Sequence, residues 1–147
     1  MAYVSLDLAR ELKQAGLEWR PALHDRFAIP DRGLDDRVFV ISDLLSTLQS
    51  VQGRQVVSFH GSLEWALDSL VTSEVVWVPS EGQLREMVEV WLRMDNPTGS
   101  ALTLRKVEGS YYCDFAYQGR EYSFEGAGAP EAYARALLFF LRLSSES

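Results

Sequence analysis

Apolar and polar positions along this chain repeat in two rhythms, one of three to four residues and one of two. In "LDLARELKQAG" Leu8 and Leu12 are four apart with Ala9 beside them. That spacing predicts a helix capped by Ser5 and stopped by Gly16. The stretch "LEWRPALHDRFAIPDRGLDDR" carries prolines, Gly33 and scattered charge, so it reads as a loop enclosing a short strand, "RFAI". "VFVIS" (38–42) is β-branched and aromatic and predicts a strand. "DLLSTLQSVQG" fits either a strand or a helix with Leu44, Leu45 and Leu48 on one face, ended by Gly53. "QVVSFH" is the next strand. Ser62 then opens a predicted helix whose Leu63, Ala66, Leu67, Leu70 and Val71 form one stripe. "EVVWVP" predicts a short buried strand. Ser80 and Gln83 have capping-box spacing, and Leu84, Met87, Val88, Trp91 and Leu92 repeat the helical stripe.

Beyond "MDNPTGS" the rhythm changes to two. This break divides the chain into 1–96 and 97–147, either as separate parts or packed as one domain. "ALTLRKV", "SYYCDFAY" and "REYSFEG" are three strand-like runs. Glu108-Gly109 and Gln118-Gly119 between them have the spacing of two-residue hairpin turns. Tyr111, Cys113, Phe115 and Tyr117 share one face of the middle run, and Tyr122 and Phe124 share one in the next. "GAGAPEAYARALLFFLRL" predicts a final helix with Pro130 in its first turn. Its apolar residues exceed one stripe, so it is buried by more than one layer: its own sheet, and the N-terminal part or a partner chain. The fold class is α+β, with small mixed or antiparallel sheets covered by helices and a β-β-β-α meander at the C-terminal end.

Composition narrows the setting. The 147 residues are 47% hydrophobic and 24% charged, ordinary for a globular chain and long enough to bury a core without staples. Cys113 is the single cysteine, which excludes an intramolecular disulfide and fits a reducing compartment. No basic start leads into an apolar stretch, and the longest apolar run, "ALLFFL", is far short of a bilayer span. These features predict a cytoplasmic protein with no membrane partner. A net charge of −7 argues against nucleic acid as the main partner, because phosphate binding needs an excess of cations. Positive charge is nearly all arginine, with only Lys13 and Lys106 as lysines, a bias of GC-rich bacterial coding.

Three places invite a chemical reading. In "SFHGS", Ser58, His60 and Ser62 stand where a strand hands over to a helix. A nucleophile elbow needs glycine two residues before and after its serine. Ser58 has Val56 and His60 there, and Ser62 has His60 and Glu64. Ser62 therefore reads as a helix cap and no catalytic residue is assigned. The loop 19–37 offers Trp19, Arg20, His24, Asp25, Asp31 and Asp36 as a candidate small-ligand or metal site. Arg26, Arg32 and Arg37 interleave with its acids and compete for them, so no metal is assigned. Trp19, beside Arg20 and Pro21, reads as a lid on the core or, as the alternative, an interface residue. Cys113 reads as a small hydrophobe. The chain has no P-loop, dinucleotide fingerprint or zinc spacing, and no cofactor is expected. "GAGAP" lacks the P-loop lysine and reads as a hinge into a helix.

Two resemblances accompany these readings. Over about 5–95, "LARELKQAGLEWRP", "FHGSLEWALD" and "VVWVPSEGQLREMVE" resemble a group of short bacterial proteins without an established activity, some labelled pilus assembly protein. The named pilus assembly ATPase has a P-loop and this chain has none, so the resemblance implies no nucleotide chemistry and carries over no catalytic residue. Over about 101–142, "YYCDFAYQGREYSFEGAGAPEAYARALLFFL" is similar to small phage-associated sandwich modules. Gly119, Arg120, Glu121 and Tyr122 match their turn, and Pro130, Glu131, Ala132, Arg135, Ala136 and Leu137 match their helix start. The β-β-β-α order is also similar to double-stranded-RNA-binding domains. Those need a lysine cluster where this chain has "GAPEAYAR", which removes the RNA reading.

Three functional expectations follow. The first is a non-catalytic bacterial interaction or accessory protein, with a protein partner or a second copy as a homodimer. The second is a small-ligand or metal-binding module through 19–37. The third is a minimal hydrolase using Ser62 or Ser58 with His60.

Overall fold

The computed structural model of the chain describes residues 3–20, 22, 24–29, 34–40, 46–51, 54–59, 69–71, 75–99 and 101–146, with backbone alone at 29, 34–39, 46–51, 54–59, 69–71 and 146. It is an α+β structure of three helices and nine strands among these residues, and every strand pairing is antiparallel. Two compact units result, one from 1–17 with 79–147 and one from 18–78. The first helix and the helix before residue 96 both pack on the last helix.

In the first unit, α1 (Leu6–Gln14) starts where Ser5 Oγ accepts a hydrogen bond from Leu8 N at 3.3 Å. It stops at Gly16, whose φ of 107° strongly favours glycine. There Leu17 N donates to Leu12 O and Gly16 N to Lys13 O, a Schellman closure. Leu8, Ala9 and Leu12 are buried, as their spacing predicts. The helix α2 (Glu81–Asp95) opens with both halves of the Ser80–Gln83 capping box and buries Leu84, Val88 and Leu92. Val4 N bonds to Pro79 O, which ties the chain before α1 to the residue before the α2 cap.

The meander of this unit is β7 (Leu102–Val107), β8 (Ser110–Tyr117) and β9 (Arg120–Gly126), in that spatial order. Glu108, Gly109, Gln118 and Gly119 all have positive φ, the backbone that two-residue type I′ hairpins require. The turns set the register: Val107 pairs with Ser110 and Tyr117 with Arg120. The helix α3 (Ala129–Glu146) covers one face of the sheet and packs on α1 and α2. Its Phe140 lies 5.3 Å from the Phe115 ring, 5.0 Å from Tyr117 and 5.4 Å from Trp91 of α2. Phe139 lies against Tyr122 and Phe124. The apolar surplus of α3 is thus covered within the unit, by its own sheet on one side and α1 and α2 on the other. Gly126 lets α3 approach: a Cβ there would stand 2.5 Å from Ala132 N.

The second unit holds two sheets. One is ordered β2-β1-β6, from β1 (Arg26–Ile29), β2 (Leu34–Val40) and β6 (Val76–Val78). The other is ordered β3-β4-β5, from β3 (Ser46–Val51), β4 (Arg54–Phe59) and β5 (Ser69–Val71). "RFAI" is β1, as its composition predicts. Two expectations change and one open alternative is resolved. Strand β2 begins at Leu34, so the predicted loop ends earlier, where Leu34 pairs with Ile29 after a register shift. The ambiguous segment is strand over 46–51, paired residue by residue with β4; Leu44 and Leu45 lie outside the described residues. Leu70 and Val71 belong to β5, paired with Val57 and Val56, rather than to a helix. Their spacing from Leu63 and Leu67 matches a helical stripe, but pairing with β4 supplies backbone partners that outweigh a pattern built on apolarity alone. Residues 60–68, which include His60, Ser62 and Trp65, lie outside the described residues.

Candidate functional site

The loop before β1 organises itself around a carboxylate. Asp25 is buried, and its Oδ2 accepts from Trp19 Nε1 at 2.9 Å and from Ala22 N at 3.1 Å. Its own N–H donates to Ala22 O. With the carboxylate bonded back to the N–H three residues earlier, the chain turns just ahead of β1, and the Trp19 ring lies 5.5 Å from that of Phe27. His24 takes a φ of 73° to complete the turn, and its side chain is exposed, as is that of Arg20. Of the six residues expected to form a site at 19–37, the structure therefore brings Trp19 and Asp25 together and leaves Arg20 and His24 on the outside of the same turn. Asp31 lies outside the described residues. Asp36 is in β2, and its side chain is outside them too. Among the described residues there is no cluster of three metal-ligating side chains. The Asp25 carboxylate holds the loop together by accepting its N–H groups.

Cys113 is fully buried on the α3 side of the meander, where burial and then the charge of Asp114 push its thiol up to about 12. At neutral pH it is a thiol and a packing group, not a nucleophile. Ser58 lies in β4, with its side chain outside the described residues.

The other face of the meander carries a connected set of polar side chains. The register puts Arg105 opposite Tyr112, Thr103 opposite Asp114, Asp114 opposite Ser123 and Tyr112 opposite Glu125. Arg105 Nε donates to Asp114 Oδ2 at 2.9 Å, and Ser123 Oγ donates to Asp114 Oδ1 at 2.6 Å. The Arg105 guanidinium lies 4.4 Å from the Tyr112 ring centre, within cation–π range. Tyr112 OH donates to Glu125 Oε2 at 3.3 Å, and Arg135 of α3 reaches round to Glu125 O. Five side chains from three strands thus hold one another in place. The Arg105 hydrogen bond holds the Asp114 carboxyl below its ordinary value, with Ser123 helping, and the same bond raises the Arg105 guanidinium above its own. Asp114 is a fixed anion at neutral pH, and a carboxylate whose proton affinity has been lowered is a poor base for the Ser123 hydroxyl beside it.

At one end of this face lies a concavity of about 740 Å³, bordered by the β8–β9 turn and the last residues of α2. Asp95 Oδ2 accepts from Gln118 N at 3.1 Å and fixes the turn to the helix. Ala101, Thr103, Ala116 and Gly119 are small, which leaves the space open. None of Arg105, Tyr112, Asp114, Ser123 and Glu125 is singled out by sequence motifs, because they lie on three different strands and acquire meaning only through pairing. Among the described residues no helix is long and apolar enough to cross a membrane. Compared with protein-family models, curated proteins and solved structures, the chain matches none.

Proposed function

We propose that this chain is a non-catalytic bacterial accessory protein of the cytoplasm that acts by contact with another protein, through the open face of the β7–β9 sheet. The observation that carries the reading is the bonded set Arg105, Tyr112, Asp114, Ser123 and Glu125, on the sheet face opposite α3 and uncovered by any helix among the described residues. Tyrosine and arginine are the side chains most often found at interface hot spots. Here both are held in one rotamer before any partner arrives, which lowers the ordering cost of binding. The chemistry of the set favours recognition over turnover, since its carboxylate is held ionised and is a poor base for the hydroxyl it accepts from. Both resemblances, to the bacterial group with the pilus assembly label and to the phage-associated modules, fit a part that works by contact. Self-association has lost its main motive, because the apolar surplus of α3 is covered within the unit.

Affinity capture from the native bacterium, with wild type and the Tyr112→Ala/Arg105→Ala double variant in parallel, tests the reading. A stoichiometric partner retained by wild type and lost by the variant is the expected result. A partner held equally by both moves the interface elsewhere and overturns the assignment to this face. Light scattering that shows a dimer abolished by the double variant would make the partner a second copy.

A further inference from the structure

We propose that the concavity beside the open face receives a lysine- or arginine-bearing segment of the partner protein. The inference rests on the docking face described above and names the chemistry of what docks there. Among its described lining, three carboxylates, Asp95, Asp114 and Glu121, face one guanidinium, Arg105. Asp114 and Arg105 neutralise each other through their hydrogen bond. The Asp95 carboxylate is held by a backbone N–H, which orients it without cancelling its charge. Glu121 stands opposite Ala116, a side chain too short to cover it. Two negative charges therefore remain at the rim of a space within the range of small-ligand clefts, about 300–1,000 Å³.

Complementary charge at an interface fixes register and steers encounter. A cationic side chain entering this space meets two carboxylates, that of Asp95 already oriented by Gln118 N, while an anionic one meets repulsion from both. A bare metal ion is a poor match, since Asp95 and Glu121 flank a wide opening and no third free ligand stands with them among the described residues. An extended basic segment matches both charge and size: its backbone can lie along the polar face while one or two long side chains reach the rim carboxylates.

Amide chemical shifts of the full chain, titrated with a short Lys-Gly repeat peptide, read the site directly. Glu-Gly and Ser-Gly repeats of the same length and spermidine serve as comparisons. Saturable shifts confined to the amides around Asp95, Thr103, Gln118 and Glu121, given by the Lys-Gly peptide alone, are expected. Affinity should fall roughly tenfold in the Asp95→Asn/Glu121→Gln variant, the sum for two exposed ion pairs. Asparagine at 95 keeps an acceptor for Gln118 N, so the unfolding midpoint stays put. Glu86→Gln, on the exposed side of α2, should change nothing. Shifts spread evenly over all acidic positions, Glu86 included, would reduce the effect to bulk charge and overturn the proposal. Equal binding of spermidine at the same amides would make the occupant a small polyamine and overturn the commitment to a protein segment. Should the peptide fail to bind while the native partner is still lost on Tyr112→Ala/Arg105→Ala substitution, the docking face stands and only the basic-segment inference falls.

Discussion

On β8, Tyr111, Cys113, Phe115 and Tyr117 face α3, while Ser110, Tyr112, Asp114 and Ala116 face away from it. The two sets alternate residue by residue on one strand, yet their surroundings differ. The α3 side is aromatic and buried, with Phe115 between Tyr122, Phe124 and Phe140. The open side is polar and joined by hydrogen bonds whose partners are largely exposed. A buried apolar side chain contributes through area removed from water, whereas an exposed ion pair contributes little because solvent screens it. Stability and recognition are therefore expected to separate by face, and substitutions on each face can break or sharpen that separation.

Phe140→Ala should give the largest effect, a loss of about 3–5 kcal/mol in unfolding free energy by urea titration. A loss as small as that of an open-face substitution would mean that α3 is not the main cover of the sheet. Gly126→Ala comes next, since the added methyl must push α3 off the end of β9. About 1–3 kcal/mol is expected by the same titration. Cys113 makes the comparison pH-dependent. Its thiol is held protonated in the fold, up to about 12, but ionises near its ordinary value of 9.0 when unfolded. The folded state thus binds more protons between those values, and stability falls as pH rises from about 9 towards 12. Tyr133 is raised by burial as well and acts in the same direction. The contribution of Cys113 is the difference between the wild-type slope and that of Cys113→Ala, which should be the shallower. The smallest effect on stability belongs to Arg105→Ala and Tyr112→Ala. Their unfolding midpoints should match wild type while partner capture is lost. A midpoint shift comparable to that of Phe140→Ala would show the open face to be a structural brace.

Much of this sheet was legible before any coordinates. Glu108-Gly109 and Gln118-Gly119 announced two hairpins, and a two-residue turn fixes register. Once Val107 faces Ser110, Arg105 must face Tyr112 and Thr103 must face Asp114. Once Tyr117 faces Arg120, Asp114 must face Ser123. Turn chemistry and period-two alternation imply the polar set, but alternating polar residues on an exposed face carry no motif, whereas the aromatic half marks the core. Asp95 was beyond sequence reading, because its bond to Gln118 joins a helix end to a turn remote in the chain. At 19–37, residue types that suit a ligand site instead close a loop, since the Asp25 carboxylate satisfies backbone and indole donors equally well. The strand at Ser69–Val71 escaped for a different reason. A short apolar run fits both periods, and the pairing with β4 that decides between them is non-local.

The packing of α1 on α3 has a consequence for the order in which the molecule is made. Roughly a hundred residues separate the end of α1 from the start of α3, and at bacterial rates of roughly 5–20 residues per second the ribosome needs on the order of ten seconds to add them. Through that interval Leu8 and Leu12 have no α3 to lie against. Nine residues are too few to persist as an isolated helix. The segment that leaves the ribosome early therefore waits, unstructured, for the one that leaves late. Residues 18–78, synthesised in between, form a compact unit whose own contacts do not wait for α3.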